Sequence, residues 1–238
     1  MQNLCTVLAV ALLTTALSGC ADEPDVQQEL PPAAPITDPS KFISASDVLD
    51  RLRSGANQWI FDVRSKPSFD ELHIQSAVSL PYGHFDQSDL AAIEGLDLDS
   101  DIVTYCGCPH TLASFAANQL LEYGYKNARV LHEGFFYWRD NGLPVMGQNA
   151  QRTTRLEFAG TLKAEETPLA HRAVFIRNTR NGQLEAATTN ANGYFETEFH
   201  VMSFREDDIF QVHVASLDSP ELAKMTATRG RKNVVQLH

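Results

Sequence analysis

The sequence predicts an α/β domain, a parallel sheet flanked by helices, followed by a small all-β sandwich domain. Three observations carry this reading. Short apolar runs alternate with stretches of helical period from Phe42 to about Val145. A polar joint follows at Gly147 to Thr154, and beyond it the runs are alternating or β-rich, divided by turn clusters. The chain has 238 residues, 43% of them apolar, enough for two small domains that each bury a core. The segments read as 1–20 (a signal segment), 21–40 (a disordered tether), 41–147 (the α/β domain) and 154–238 (the β domain).

In the α/β part, Ser44-Ala45-Ser46-Asp47 reads as an N-cap with an acidic third position, and Val48, Leu49 and Leu52 follow at helical spacing. Gly55 supplies the stop. Ile60 to Val63 is a buried-strand signal, Ala77 to Leu80 before Pro81 is a second, and Ile102 to Tyr105 is a third. Leu112, Phe115, Ala116, Leu120 and Leu121 recur with a helical period until Gly124, and Val130-Leu131 starts one more strand. In the β part, strands are expected over Leu156 to Leu162, Ala173 to Asn178, Tyr194 to Val201 and Phe210 to Ala215. Asn181-Gly182 and Asn190-Ala191-Asn192-Gly193 are the turn clusters between them.

The amino end differs from the rest. Leu4 to Leu17 is uncharged and apolar, too short for a membrane span but of signal-peptide length. Leu17-Ser18-Gly19-Cys20 resembles the lipobox of bacterial lipoproteins, which implies lipid on Cys20 and a membrane anchor there. Ala21 after that cysteine resembles lipoproteins sorted to the outer membrane, so a periplasm-facing place in the bacterial envelope is the expectation. The alternatives are an ordinary cleaved secretory signal and a buried N-terminal helix. Residues 21–40, rich in Pro, Ala, Asp, Glu and Gln, read as a tether. If Cys5 leaves and Cys20 is lipidated, only Cys106 and Cys108 remain as thiols, too few for a disulfide framework.

The chemistry concentrates at one junction. The strand Ile102 to Tyr105 runs into Cys106-Gly107-Cys108-Pro109-His110-Thr111, and a helix follows. Loop amides and a helix N-terminus converge on one concavity there and stabilise an anion. Cys106 at the loop start is expected to have a lowered pKa. A thiolate so placed can attack a sulfane sulfur, hold it as a persulfide and pass it on.

These residues resemble the rhodanese family. Asp62-Val63-Arg64 matches its strand motif, Glu71 to Val78 its E-x-H-I-x-x-A-x stretch, and Leu80-Pro81 follows in order. Tyr105-Cys106 opens the active loop, Gly134-Phe135-Phe136-Tyr137-Trp138 resembles the G-x-x-x-W element, and Gly142-Leu143-Pro144-Val145 closes the domain. The resemblance implies a sulfurtransferase with Cys106 catalytic and Gly107 to Thr111 as its loop; no cofactor is implied. The six-residue loop resembles the sulfurtransferase branch rather than the related arsenate and phosphate enzymes, whose loop is longer. Many family loops carry an Arg or Lys for an anionic donor; this one has only His110, which implies weak turnover of thiosulfate. Asp62 and Arg64 are supporting candidates, and His73 in the E-x-H-I stretch is read as structural. Glu133 stands where the family usually has a glycine.

Cys108 stays open between several roles: a thiol resolving the Cys106 persulfide, half of a redox pair, a soft-metal ligand with His110, or a small apolar wall of the loop. Three ligands in so tight a loop make a poor metal cage, and no metal is expected. Phe158 to Leu162, Pro168 to Val174 and Thr188 to Phe195 resemble the carboxypeptidase-regulatory-like, transthyretin-like sandwich, whose T-x-x-x-G-x-F hairpin matches Thr189 to Phe195. That implies a binding or spacer module of unknown partner. The net charge of −11 excludes a basic nucleic-acid surface. The expected partners are a small sulfur donor and a thiol acceptor. The competing readings are a catalytically weak binding or scaffold protein and thiol–disulfide exchange through Cys106 and Cys108.

Overall fold

The computed structural model describes residues 35–107, 111–147, 153–214 and 222–235. Cys5, Cys20 and all but the last residues of the expected tether lie outside them. The first part holds β1 (Phe42–Ile43), α1 (Ala45–Ser54), β2 (Trp59–Asp62), α2 (Lys66–Glu71), β3 (His73–Ile74) and β4 (Val78–Ser79). It continues with α3 (Gln87–Ala91), β5 (Asp101–Tyr105), α4 (Thr111–Glu122), β6 (Asn127–Leu131), α5 (Gly134–Asp140) and β7 (Val145–Met146).

Five strands form one parallel sheet in the order β1-β6-β5-β2-β4. The central strands β2 and β5 are buried on both faces, as crossover helices require. The two-residue period of β5 sends Ile102 toward α3 and α4, and Val103 and Tyr105 toward α1 and α5. Cys106 continues the α4 side. Local signals start and stop α1 as expected. Ser44 accepts from the Asp47 amide, and Gly55 ends the helix in the left-handed region at φ 69°. Glu133, in the place of a glycine, has a use: its Oε2 accepts from the Ala45 amide at 2.9 Å, tying the α5 entry to the start of α1.

Ile36 packs against the core, and Pro39–Lys41 forms a 3-10 turn capped by Asp38. The short elements α2, α3, β3 and β7 carry too few residues to show a period. β3 and β7 pair antiparallel, so the end of this part closes on its own middle.

The C-terminal part is all-β among the described residues. It holds β8 (Thr154–Thr161), β9 (Lys163–Ala164), β10 (Thr167–Pro168), β11 (Ala173–Asn178) and β12 (Leu184–Thr188). Then come β13 (Tyr194–Val201), β14 (Ile209–Val214), β15 (Ala223–Thr226) and β16 (Lys232–Val235). One sheet has the order β12-β11-β14-β15, another β13-β8-β16, and β9 pairs with β10. Phe158, Phe199 and Phe210 from both larger sheets share one buried cluster. Asn181-Gly182 turns β11 into β12, which pair antiparallel. The expected hairpin over Thr189 to Phe195 is not one. β12 and β13 belong to different sheets, and the turn carries the chain from one to the other. Gly193 is required there at φ 72°, where a Cβ would collide with the Leu162 carbonyl.

The two parts are not beads on a string. β11 is buried on both faces: Val174 and Ile176 enter the β core, whereas Ala173 and Phe175 join the α4-side core of the α/β part. Among the described residues, no helix is long and apolar enough to cross a membrane.

Candidate functional site

Cys106 sits just past the end of β5, before α4, and is 1% exposed. The loop entry is fixed through its carbonyls, since Cys106 O accepts from the Phe135 amide at 2.9 Å and Gly107 O from the Phe136 amide at 3.2 Å. Gly107 has no room for a side chain, because a Cβ would stand 2.7 Å from the Phe136 ring. The thiol is aimed at the start of α4, where the Leu112 and Ala113 amides donate to it. Thr104, one residue before Tyr105 on β5, donates to Ala113 O at 3.0 Å and pins the same turn of helix. Strand, loop entry and helix start are thus held in fixed register around one sulfur.

The expected lowering of the thiol pKa is overturned. Burial pushes the Cys106 thiol up, the charge of Glu185 pushes it further, and the Ala113 and Leu112 amides only partly oppose them. The amides at the start of α4 do lower the thiol pKa. The burial that outweighs them comes in part from a covering layer of β11 and β12.

Asp62 and Arg64 form a buried pair next to the loop. Arg64 Nε and Nη2 donate to the Asp62 carboxylate at 2.9 and 2.6 Å, and Nη2 also donates to Leu72 O. Burial alone lowers the Arg64 pKa, but Asp62 outweighs it and leaves it raised. The guanidinium lies 3.9 Å from the centre of the Phe135 ring. Tyr105 Oη donates to Asp62 at 2.7 Å and accepts from the Ile74 amide. Every one of these bonds joins structural segments. Arg64 also lines a small open cleft with Phe136, Arg139, Thr153 and Met202.

His73 is structural, bonded through Nδ1 to Phe69 O and stacked on the Phe69 ring at 3.8 Å. Trp138 and Phe135 are core, Phe136 is half-buried and Tyr137 is exposed. Thr111 begins α4. Cys108, Pro109 and His110 lie outside the described residues, so the readings placed on them do too. Among the described residues, no three His, Cys, Asp or Glu side chains gather to hold a metal ion.

Three contributors from the β part escaped the sequence reading. Phe175 stacks near Tyr82 and Phe115, with centroids 5.7 and 5.4 Å away. His200 stacks on Phe136 at 4.1 Å, and burial lowers its pKa. Glu185 on β12 is 5% exposed, and burial pushes its carboxyl up to about 8. The one signal available for Glu185 was a lone acid in an otherwise uncharged run, Leu184-Glu185-Ala186-Ala187-Thr188.

Residues 44–141 match the family model for the rhodanese-like domain, so this part of the chain is a rhodanese-like α/β domain with a parallel sheet. Among solved structures, the rhodanese-like domain of an Anabaena protein is 28% identical, with a TM-score of 0.40 over 48% of this chain and 83% of that one. The human single-domain sulfurtransferase is 22% identical, with a TM-score of 0.36 over 42% of this chain and 96% of that one. The polysulfide-sulfur transferase homodimer of Wolinella succinogenes is 23% identical, with a TM-score of 0.38, covering 46% and 80%. No curated protein matches the chain.

Proposed function

We propose that this rhodanese-like domain is a sulfurtransferase in which Cys106 takes a sulfane sulfur as a persulfide and passes it to a thiol or another nucleophilic acceptor. One observation carries the reading: the Cys106 sulfur receives the Leu112 and Ala113 amides at the start of α4, within the region that matches the family model. Those amides favour a negative charge on the thiolate before attack and on the departing sulfur afterwards. The attacking thiolate breaks the S–S bond of the donor and keeps its outer sulfur. Because Cys106 is 1% exposed, a donor reaches it only when the surroundings open.

The test is the intact mass of the reduced full-length chain after incubation with thiosulfate or with polysulfide. A gain of one sulfur that vanishes in Cys106→Ser is expected. No gain from either donor overturns the reading. Persistence of the persulfide in Cys108→Ser, against its loss in the parent, casts Cys108 as the resolving thiol. Loss of two hydrogens without sulfur gain would select thiol–disulfide exchange.

A binding role is favoured by a different pair of facts, the burial of Cys106 and the lack of Arg or Lys in the loop from Cys106 to Thr111. It predicts no mass change with any donor. The lipobox-like Leu17-Ser18-Gly19-Cys20 supports export and anchoring through Cys20 at the outer membrane, facing the periplasm. Cys20→Ala is then expected to move the chain from the membrane to the soluble fraction. We read the β part as a carboxypeptidase-regulatory-like sandwich of the binding or spacer kind.

A further inference from the structure

β13 is an edge strand of its sheet, and its residues alternate between two faces. Phe195, Phe199 and Val201 enter the β core, whereas Glu196, Glu198 and His200 lie on the other face. On that outer face the Glu196 and Glu198 side chains are 48% and 46% exposed, but that of His200 only 20%. Its cover is Phe136 of α5. The two rings stack with centroids 4.1 Å and planes 26° apart.

The same Phe136 ring lies against the loop that carries Cys106. A Cβ on Gly107 would stand 2.7 Å from Phe136 Cε2, and the Phe136 amide donates to Gly107 O at 3.2 Å. One residue earlier, the Phe135 amide donates to Cys106 O. Phe136 also lines the small open cleft, together with Arg139 and with Thr153 and Met202 from the β part. The Arg139 guanidinium lies 4.9 Å from the centre of the ring. Cys106 and Gly107 are both buried. One half-buried ring thus touches the loop entry and the cleft, and a ring of the β part is stacked on it.

We propose that His200 is a positioning residue for the Cys106 site: its ring holds Phe136 against Gly107 as a gate between the cleft and the loop, and sulfur donor and acceptor reach Cys106 when this stack parts. The proposal rests on the sulfurtransferase reading, in which a thiol that is 1% exposed must be uncovered twice, for uptake and for delivery. Between those events the closed gate keeps the Cys106 persulfide from other thiols. One ring pair suits the task, since it favours the closed state by little enough to be broken often. Burial, Arg139 of α5 and Arg155 of β8 favour the neutral His200 ring against the pull of Glu198, so the stack desolvates no charge. The contact of Phe175 with Tyr82 and Phe115 differs in kind, because it is part of the buried core on the α4 side.

The test uses the full-length chain with Cys106 as its only cysteine (Cys5→Ser, Cys20→Ser, Cys108→Ser). This parent is compared with His200→Ala, His200→Phe, Phe136→Ala and the double variant of His200→Ala with Phe136→Ala. Alkylation of Cys106 by iodoacetamide under native conditions, and single-turnover sulfur gain from polysulfide, are both followed by intact mass. His200→Ala is expected to speed alkylation roughly 2- to 10-fold, the factor that one ring pair supplies. His200→Phe keeps a ring on Phe136 and is expected to restore the parent rate. In the Phe136→Ala background, His200→Ala is expected to add nothing. Sulfur gain is expected to follow alkylation across the series, because both reactions wait for the same opening. A merely structural His200 would be missed equally in His200→Phe, which lacks the Glu198 contact, and whether or not Phe136 is present. An unchanged alkylation rate in His200→Ala, equal acceleration in His200→Phe, or additivity with Phe136→Ala overturns the proposal. So does sulfur gain that stays at the parent rate while alkylation accelerates. If no protein gains sulfur, the sulfurtransferase reading fails by itself, and the alkylation rates still decide whether His200 and Phe136 gate Cys106.

Discussion

Phe175 of β11 and Tyr82 of the α/β domain lie with ring centroids 5.7 Å apart and planes 19° apart, both essentially buried. Phe115 of α4 completes the group at 5.4 Å from Phe175. A residue of the β part is therefore a core residue of its neighbour. Phe175→Ala should cost about 3–5 kcal/mol, the usual range for a buried Phe. The loss should appear in the α/β domain as well, so thermal unfolding of the parent is expected as one calorimetric transition and that of the variant as two.

The Asp62–Arg64 pair is buried and multiply bonded, so removing one partner is worse than removing neither. Asp62→Ala leaves the Arg64 guanidinium without its carboxylate and should destabilise by about 3–5 kcal/mol in urea unfolding. Tyr105→Phe removes the hydroxyl that links Asp62 to the Ile74 amide and should cost about 1–3 kcal/mol. A larger loss for Tyr105→Phe than for Asp62→Ala would contradict this ordering.

Glu185 makes stability depend on pH in a definite direction. Its folded pKa, about 8, is above the ordinary carboxyl value of 4.5. Between those two values the folded state keeps a proton that the unfolded state has lost. Stability therefore falls as pH rises through that window, by up to about 1.4 kcal/mol per unit, and levels off above it. Glu185→Gln should flatten the fall, becoming more stable than the parent in alkaline buffer. Chemical denaturation at both ends of the window measures the difference.

Gly107→Ala should strain the loop entry, since its Cβ meets the Phe136 ring at 2.7 Å. Phe136 is itself held by His200 at 4.1 Å and by the Arg139 guanidinium at 4.9 Å. The expected cost is about 1–3 kcal/mol, with faster alkylation of Cys106 as the cover loosens. A variant alkylated at the parent rate would show that the ring swings aside freely.

Much of the fold was legible because its determinants are local. Ser44 and Gly55 bracket α1 through bonds to residues only a few positions away. The apolar runs of β2, β5 and β6 read as buried strands because both faces of a parallel sheet are covered. The Asn190 to Gly193 turn was recognised, but a turn does not say which sheet receives the next strand. Short helices such as α3, capped by Asp86, offered a cap without enough period to follow it.

The sequence by itself determined that Cys106 stands between a buried strand and a helix start, and that two styles of patterning divide the chain. Both follow from neighbours along the chain. Only the tertiary structure decided what state that cysteine is in. The amides of Leu112 and Ala113 are local and stabilise a charge, whereas the burial and the Glu185 carboxyl that oppose it arrive from β11 and β12, far along the sequence. Solvation at a point in space depends on every segment packed there. No pattern of period 2 or 3.6 encodes which distant strand will exclude the water.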